Sequence, residues 1–451
     1  MIDEYYRNGQ LFLSKLLKRK DEDRYFGIGE VEGILGDLEI DDDFIKENIR
    51  EPAKEFIGEV SIGDTTSERD ILRAFKGKGF PISSRSYNAG ITSTFFKTSK
   101  GECSYCGNKD EVLNHVSYIF PFFRKIDSIT PDNNKLKLCK KCAFTLYSGM
   151  AFLYQKGAEL LFFFDSYDFK SLDRINRFFK YEADLLDPSN KNRIRRFDRY
   201  PTYHPYDTIF IIFFEFVKRL YQKNLLSELE EVSNEVRLLM SYGSGQIYHY
   251  YILEGNLINR LTRFFRTLME KGRESKSEQH NIPAEDLILS GFFTNMWINK
   301  GKFEENTSLR DLFVKDLLKG KINFEVINEI IMMRIKGKNR PYIPPYYKTF
   351  ITTFLEVFGL SEEKDMFEKL NGLGYALGNR MKGTNLESYI WEVFRARGAE
   401  ELYNVLVELQ LKLKDSMDLR PLKEHEDEWR KVKAIIVNGM ANALYGGGKS
   451  E

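Results

Sequence analysis

Cys103-Ser104-Tyr105-Cys106-Gly107 and Leu138-Cys139-Lys140-Lys141-Cys142 decide how this chain is read, because between them they hold all four of its cysteines. A C-x-x-C pair puts both sulfurs on one ion from a single tight turn. Two such pairs close a tetrahedral four-thiolate shell that leaves no coordination position open for catalysis. The spacing therefore predicts a structural Zn²⁺ site with Cys103, Cys106, Cys139 and Cys142 as ligands, organising a module over residues 97–150. Gly107 suits the positive-φ turn that aims backbone N–H groups at the sulfurs, and Lys140 and Lys141 are placed to offset the double negative charge of the loaded site. Two disulfides or four unrelated thiols are the competing readings. The paired spacing, with no surplus cysteine and no signal peptide expected, favours the metal.

At 451 residues the chain is long enough for two or three domains and a substantial core. Lys and Arg number 68 against 67 for Asp and Glu, a net charge of +1, so any nucleic-acid surface must come from local clustering. The N-terminus, Met1-Ile2-Asp3-Glu4-Tyr5-Tyr6-Arg7, is charged where a secretion signal is apolar. The most apolar run, Ile209-Phe210-Ile211-Ile212-Phe213-Phe214, is stopped by Glu215, well short of the ~20 residues that span a bilayer. A soluble, cytoplasmic protein without membrane contact is expected.

The fold class expected is α+β. A mixed N-terminal domain would occupy residues 1–284 with the zinc module inserted at 97–150, followed by a helical bundle over 285–445 and a flexible tail at 446–451. Short apolar runs with turn signals, such as Phe26-Gly27-Ile28-Gly29 and Gly77-Lys78-Gly79-Phe80-Pro81, give the first hundred residues their mixed character. Phe152 to Phe164 and Thr208 to Tyr221 read as buried core elements. Apolar residues at helical spacing predict helices over Leu225 to Leu239 and from Leu257 to Leu268. Beyond Ala284 the helical pattern is nearly continuous, with breaks expected at Lys319-Gly320-Lys321, at Lys336 to Pro345, and at Gly372, Gly374, Gly378 and Gly383. Ser361, followed by Glu362 and Glu363, reads as a helix N-cap.

Between the cysteine pairs lie Asn114-His115-Val116, Pro121 and Asn133-Asn134, an order that resembles the zinc-stapled HNH endonucleases. That resemblance implies His115 as general base activating a water against a phosphodiester, opposite a second, catalytic metal. The chain departs from the pattern twice: Asn114 stands where the family carries an acidic residue, and Ala143-Phe144-Thr145 stands where it carries a metal-binding His or Asn.

A second resemblance spans more of the chain. Leu138-Cys139-Lys140-Lys141-Cys142-Ala143-Phe144-Thr145-Leu146 is similar to the second knuckle of the CRISPR-associated CXXC-CXXC proteins, large subunits of type I Cascade complexes. Tyr25-Phe26-Gly27-Ile28-Gly29-Glu30-Val31-Glu32-Gly33-Ile34-Leu35 resembles their glycine-containing N-terminal segment. Leu373-Gly374-Tyr375-Ala376-Leu377-Gly378, Arg395-Ala396-Arg397 and Leu402 to Leu411 resemble their C-terminal helical pattern. The resemblance implies a non-enzymatic antiviral-defence subunit. It would help recognise the motif flanking a double-stranded DNA target, contact the other Cascade subunits and the guide RNA, and dock a separate helicase-nuclease, leaving sequence specificity to RNA–DNA pairing.

Three basic clusters fit such a role by residue type. Lys76 and Lys78, with Arg85 and Asn88, share an expected glycine-containing loop able to approach phosphates and a groove edge. Lys191, Arg193, Arg195 and Arg196, with Arg199, form the densest cluster, beside Tyr200, Tyr203 and Tyr206 as base-stacking candidates. Lys336, Lys338, Arg340, Tyr342, Tyr346, Tyr347 and Lys348 form the third. At 30 % charged residues, clusters of this size also arise on solvated loops by chance. His115, His204, His249, His280 and His425 share no metal-ligand spacing, and no phosphate loop, dinucleotide fingerprint or nucleophile elbow is present. No independent enzyme is expected from these signals.

Overall fold

A computed structural model of the chain describes residues 2–17, 33, 40–57, 66–77, 90–114, 137–156, 160–181, 204–242, 249–275, 283–294, 303–336 and 346–446. In chain order the first elements are α1 (Ile2–Leu17), α2 (Asp42–Asn48), α3 (Glu51–Ile57), α4 (Glu68–Gly77), α5 (Ile91–Phe96), β1 (Thr98–Glu102), β2 (Lys109–Leu113), α6 (Lys140–Ser148), β3 (Tyr154–Lys156), β4 (Leu160–Asp165) and α7 (Phe169–Tyr181). They are followed by α8 (Pro205–Gln222), α9 (Leu226–Ser233), β5 (Arg237–Tyr242), β6 (His249–Leu253), α10 (Gly255–Glu274), α11 (Leu287–Thr294), α12 (Phe303–Leu317), α13 (Phe324–Lys336), α14 (Tyr347–Val357), α15 (Ser361–Met381), α16 (Tyr389–Arg395), α17 (Ala399–Leu413), α18 (Arg420–Glu424) and α19 (Trp429–Tyr445). The protein is mostly helical with two small antiparallel sheets, compatible with an α+β class. No helix among the described residues is long and apolar enough to cross a membrane.

The chain forms two compact units, Met1–Ser189 with Ser227–Asn259, and Asn190–Leu226 with Arg260–Glu451. This differs from a single boundary near residue 284 because α8 and most of α10 take their partners from the later helices. Phe265 of α10 packs against Phe210 and Phe214 of α8, and Phe264 against Phe350 and Phe354 of α14.

In the first unit the larger sheet runs β3-β4-β5-β6, antiparallel throughout, with Phe162 opposite Met240 and Leu239 opposite Ile252. Every residue of β4 is buried, because both faces of the sheet are covered. Leu161 and Phe163 join a core with α1 and α6, where Tyr5 meets Phe163 edge to face at 5.5 Å. Phe162 and Phe164 meet Phe179 of α7 at 5.7 and 5.2 Å. The apolar run at Phe162 to Phe164 is thus core on two sides, as its composition suggests.

The helical spacing over Leu225 to Leu239 does not persist. The helix ends at Ser233 and Leu238, Leu239 and Met240 continue as a buried strand. Apolar residues every third or fourth position are compatible with a helix followed by a fully buried strand, which periodicity alone does not separate.

The described elements of the second unit are all helices. Gly372, Gly374 and Gly378 do not break α15, which runs unbroken from Ser361 to Met381, although Lys319-Gly320-Lys321 is a turn with Gly320 at φ +74°. Two of these glycines permit close packing instead. A Cβ on Gly374 would lie 2.1 Å from the backbone oxygen of Ile436 in α19, and one on Gly378 would lie 2.5 Å from that of Met440. A Cβ on Gly439 of α19 would likewise lie 2.4 Å from the Asn371 oxygen. Lys431 pairs with Glu363 near the start of both helices, so α15 and α19 run side by side in the same direction. Ser361 is the first helical residue of α15 and Leu360 occupies the cap, one position earlier than expected.

Candidate metal centre

β1 and β2 pair antiparallel from Thr98 opposite Leu113 to Glu102 opposite Lys109, which leaves residues 103–108 as the connecting turn. Within it the Cys103 N–H donates to the Asn108 oxygen at 2.8 Å and the Gly107 N–H to the Cys103 oxygen at 2.9 Å. Gly107 sits at φ +72°, the left-handed conformation its position asked for. The second pair sits at the start of α6, with Cys139 just before the helix and Cys142 in its first turn. Residues 137–139 lie along the hairpin: the Ser104 N–H donates to the Lys137 oxygen, the Leu113 N–H to the Leu138 oxygen, and Val112 bridges to Cys139. Backbone pairing alone therefore brings the two knuckles together across the intervening chain.

The four sulfurs lie within 4.8 Å of one another. The Cys106 and Cys139 sulfurs are 3.8 Å apart, well beyond the ~2 Å of a disulfide, and all four cysteines are free thiols. Cys103, Cys139 and Cys142 are buried, and Cys106 is exposed at the tip of the turn. Four soft donors converging on one point fit a metal ion, which is the charge that lets so many thiolates share a small volume. Without it the sulfurs split: hydrogen bonding from the Cys142 thiol pulls Cys139 down to about 5, against the effect of burial. Cys142 is pushed far up by its hydrogen bond to Cys139 and by burial.

The site is not an insert. Cys103, Cys139 and Cys142 belong to the same buried cluster as Tyr5, Phe95, Phe144, Tyr147, Leu161, Phe163 and Leu239. From Cys142 onward every residue of α6 is buried, and α1 crosses it so closely that a Cβ on Gly9 would lie 1.8 Å from the Thr145 oxygen. A module confined to residues 97–150 is thereby corrected: the hairpin and α6 form part of the first unit's core. Two tyrosines frame the sulfurs. Tyr6 of α1 stacks at 4.3 Å on Tyr105 of the first knuckle, and besides its burial, which raises it most, the Tyr6 hydroxyl feels the Cys142 sulfur through charge and a hydrogen bond. Tyr105 was visible in the knuckle; nothing local marked Tyr6, which arrives from a hundred residues away.

Lys140 does not serve the sulfurs as expected. Its ammonium is held by the Asp42 carboxylate at 2.9 and 3.1 Å and lies over the Phe96 ring. Lys141 is exposed.

Of the residues expected at nucleic acid, Lys76 stands in the last turn of α4 and not in a loop, because α4 continues to Gly77. Lys78, Arg85, Asn88, Lys191, Arg193, Arg195 and Arg196 lie outside the described residues, as does His115. In the third cluster Lys336 and Lys348 are exposed, but Tyr347 is buried in the second unit's core, its hydroxyl accepting from Asn438 at 3.2 Å. Tyr206 is likewise buried, under Lys315. Neither tyrosine is placed to stack an unpaired base.

A second polar cluster was not foreseen. At the start of α8, Asp207 pairs with Arg310 of α12 and its backbone N–H donates to Asp311 at 2.9 Å, with His204 beside them. Burial raises Asp207 and Asp311 each to about 6, the Arg310 cation only partly opposing it, and burial lowers His204. Its members are a hundred residues apart, so no motif signals it.

Compared with known proteins, the chain matches no family model, no curated protein and no solved structure.

Proposed function

We propose that this chain is a zinc-stapled, non-catalytic, cytoplasmic subunit of a nucleic-acid surveillance assembly, the large subunit of a type I Cascade complex. In that role it binds the other subunits and the guide RNA, helps read the motif flanking a DNA target, and docks the helicase-nuclease. The observation that carries the non-catalytic part is the closure of the metal centre: four thiolate donors converge with three of them buried in the core. A shell of that kind holds structure and leaves no position for a substrate or an activated water. Tetrahedral sulfur donors suit Zn²⁺ or iron, and the C-x-x-C pairs on a hairpin turn and a helix start favour zinc. The Cascade assignment rests on the knuckle sequence Leu138 to Leu146, its apolar continuation, and the similarity of Leu373 to Gly378 and Arg395 to Arg397 to the family's pattern.

Two measurements test the proposal. Metal analysis of protein purified without chelator should find one zinc per chain; zinc well below stoichiometry defeats the metal assignment. Co-expression with Cascade backbone subunits and a guide RNA should yield a complex containing this chain. Plasmid nicking with Mg²⁺ or Mn²⁺ that disappears in His115→Ala would instead select the HNH-like endonuclease. Neutralising Lys191, Arg193, Arg195 and Arg196 together should weaken nucleic-acid binding and flatten its salt dependence by roughly one counterion per lost phosphate contact.

A further inference from the structure

Tyr167 is the most exposed large aromatic ring among the described residues of the first unit, at 69 %. It is nevertheless held in place. The Arg7 guanidinium lies over the ring at 4.4 Å and that of Arg237 at 5.1 Å. Both arginines are anchored in turn by the fully buried Asp165: Arg7 through Nε at 2.8 Å and Nη2 at 2.9 Å, and Arg237 through Nη2. The guanidiniums and Asp165 come from α1, the end of β4 and the start of β5, while Tyr167 itself stands in the bend between β4 and α7. With both guanidiniums beside it, the residue is still 69 % exposed, so much of its side chain is open to water. Tyr167 stands just before Asp168, whose side chain accepts from the Ser171 N–H at 2.9 Å and fixes the turn that carries the ring.

We infer that Tyr167, backed by Arg7 and Arg237, is a stacking platform for an unpaired nucleobase of a single-stranded nucleic acid. An aromatic ring gains about as much from stacking a base as any exposed side chain does, and sequence-tolerant single-strand binding is built from such rings beside cationic groups. Among the described residues Asp165 supplies the oxygens that accept hydrogen bonds from the two guanidiniums, and N–H donors remain on both for a neighbouring phosphate. Asp165 and Glu4 already balance the two positive charges, with Glu4 3.7 Å from Arg237, so stacking and not net charge supplies the affinity. The inference rests on the reading of this chain as a nucleic-acid-binding subunit, but places a contact outside the three basic clusters of the sequence.

The test is fluorescence anisotropy of a labelled oligothymidylate, and of the same length carrying an abasic stretch, with the whole chain. Tyr167→Ala should bind the oligothymidylate on the order of tenfold more weakly, the scale of one lost base stack, with an unchanged salt slope. Tyr167→Trp should bind at least as tightly as the unaltered chain, and the abasic strand should not distinguish the variants. Removing an exposed ring leaves no cavity, so Tyr167→Ala should melt with the unaltered protein. Equal affinities of Tyr167→Ala and the unaltered chain, or no binding of either strand by the unaltered chain, overturn the platform. Failure of the Cascade reading would show separately, as no co-purification with guide RNA and backbone subunits.

Discussion

Removing the metal should dissolve the core of the first unit and not merely loosen a hairpin. The perturbation is chelation, or Cys142→Ser. A structural zinc, as proposed for the four cysteines, would contribute about 10 kcal/mol or more, comparable to the ~5–15 kcal/mol that separates a whole folded domain from its unfolded chain. Cys103, Cys139 and Cys142 share one buried cluster with Tyr5 and Phe163, so no boundary exists at which the loss could stop. In Cys142→Ser a hydroxyl replaces a buried thiolate beside Phe144 and Tyr147, whereas Cys106 is exposed and water can stand in for its sulfur. Cys106→Ser should therefore be the milder variant. The assay is hydrogen exchange read by mass spectrometry. Tryptophan emission is poorly suited to the question, because Trp391 and Trp429, the tryptophans among the described residues, belong to the second unit. Protection should fall together in α1, α6, β4 and β5 as metal leaves. Loss confined to residues 98–113, with α1 and β4 still protected, would refute the integration of the site into the core and restore the picture of an inserted module.

Two glycines two residues apart should answer oppositely to alanine. Gly374→Ala drives a methyl to 2.1 Å from the Ile436 backbone oxygen and should destabilise by about 1–3 kcal/mol or more, whereas Gly372 meets nothing within 4 Å and its replacement should stabilise α15 by up to about 1 kcal/mol, both read from urea unfolding. Asp207 and Asp311, each raised to about 6 from 3.8, give stability that is full below about pH 4 and is lost as pH rises through 6. Their share should make the second unit more stable at pH 5.5 than at pH 7.5 by tryptophan-detected melting, by about 1 kcal/mol at each carboxylate, because most of the roughly 3 kcal/mol that a rise from 3.8 to about 6 is worth at the buried Asp207 is already lost between pH 4 and 5.5. His204, lowered by burial from 6.5, acts the other way within that window, and Glu285, in which hydrogen bonds to its backbone N–H and to Arg273 outweigh burial, does so only as pH falls below about 4.5. In His204→Gln, which removes that opposing group, a melting temperature that falls steadily from pH 7.5 to 5.5 would contradict the burial of the pair.

What the sequence determined by itself is chemical and local. Four cysteines in two C-x-x-C pairs point to one four-sulfur cluster because each pair's sulfurs are brought together within a single turn, and Gly107 at positive φ follows from the same turn. Helices such as Gly255–Glu274 and the buried run Phe162–Phe164 are legible because period and hydrophobicity are properties of a few neighbouring residues. What only the tertiary structure decided depends on residues far apart in the chain. Leu238 and Leu239 carry the same apolar character in a strand as in a helix, and pairing with β4 and β6 makes them a strand. Gly374 reads as a helix breaker until α19 is laid against it, and Tyr347 reads as a wet stacking ring until Asn438 and Phe367 enclose it. Tyr6 reaches the Cys142 sulfur, and Arg7 reaches Asp165 158 residues away, only because α1 crosses both α6 and the sheet. Pairwise contacts of that range leave no period, spacing or composition in the sequence, since either partner alone is an ordinary surface or core residue.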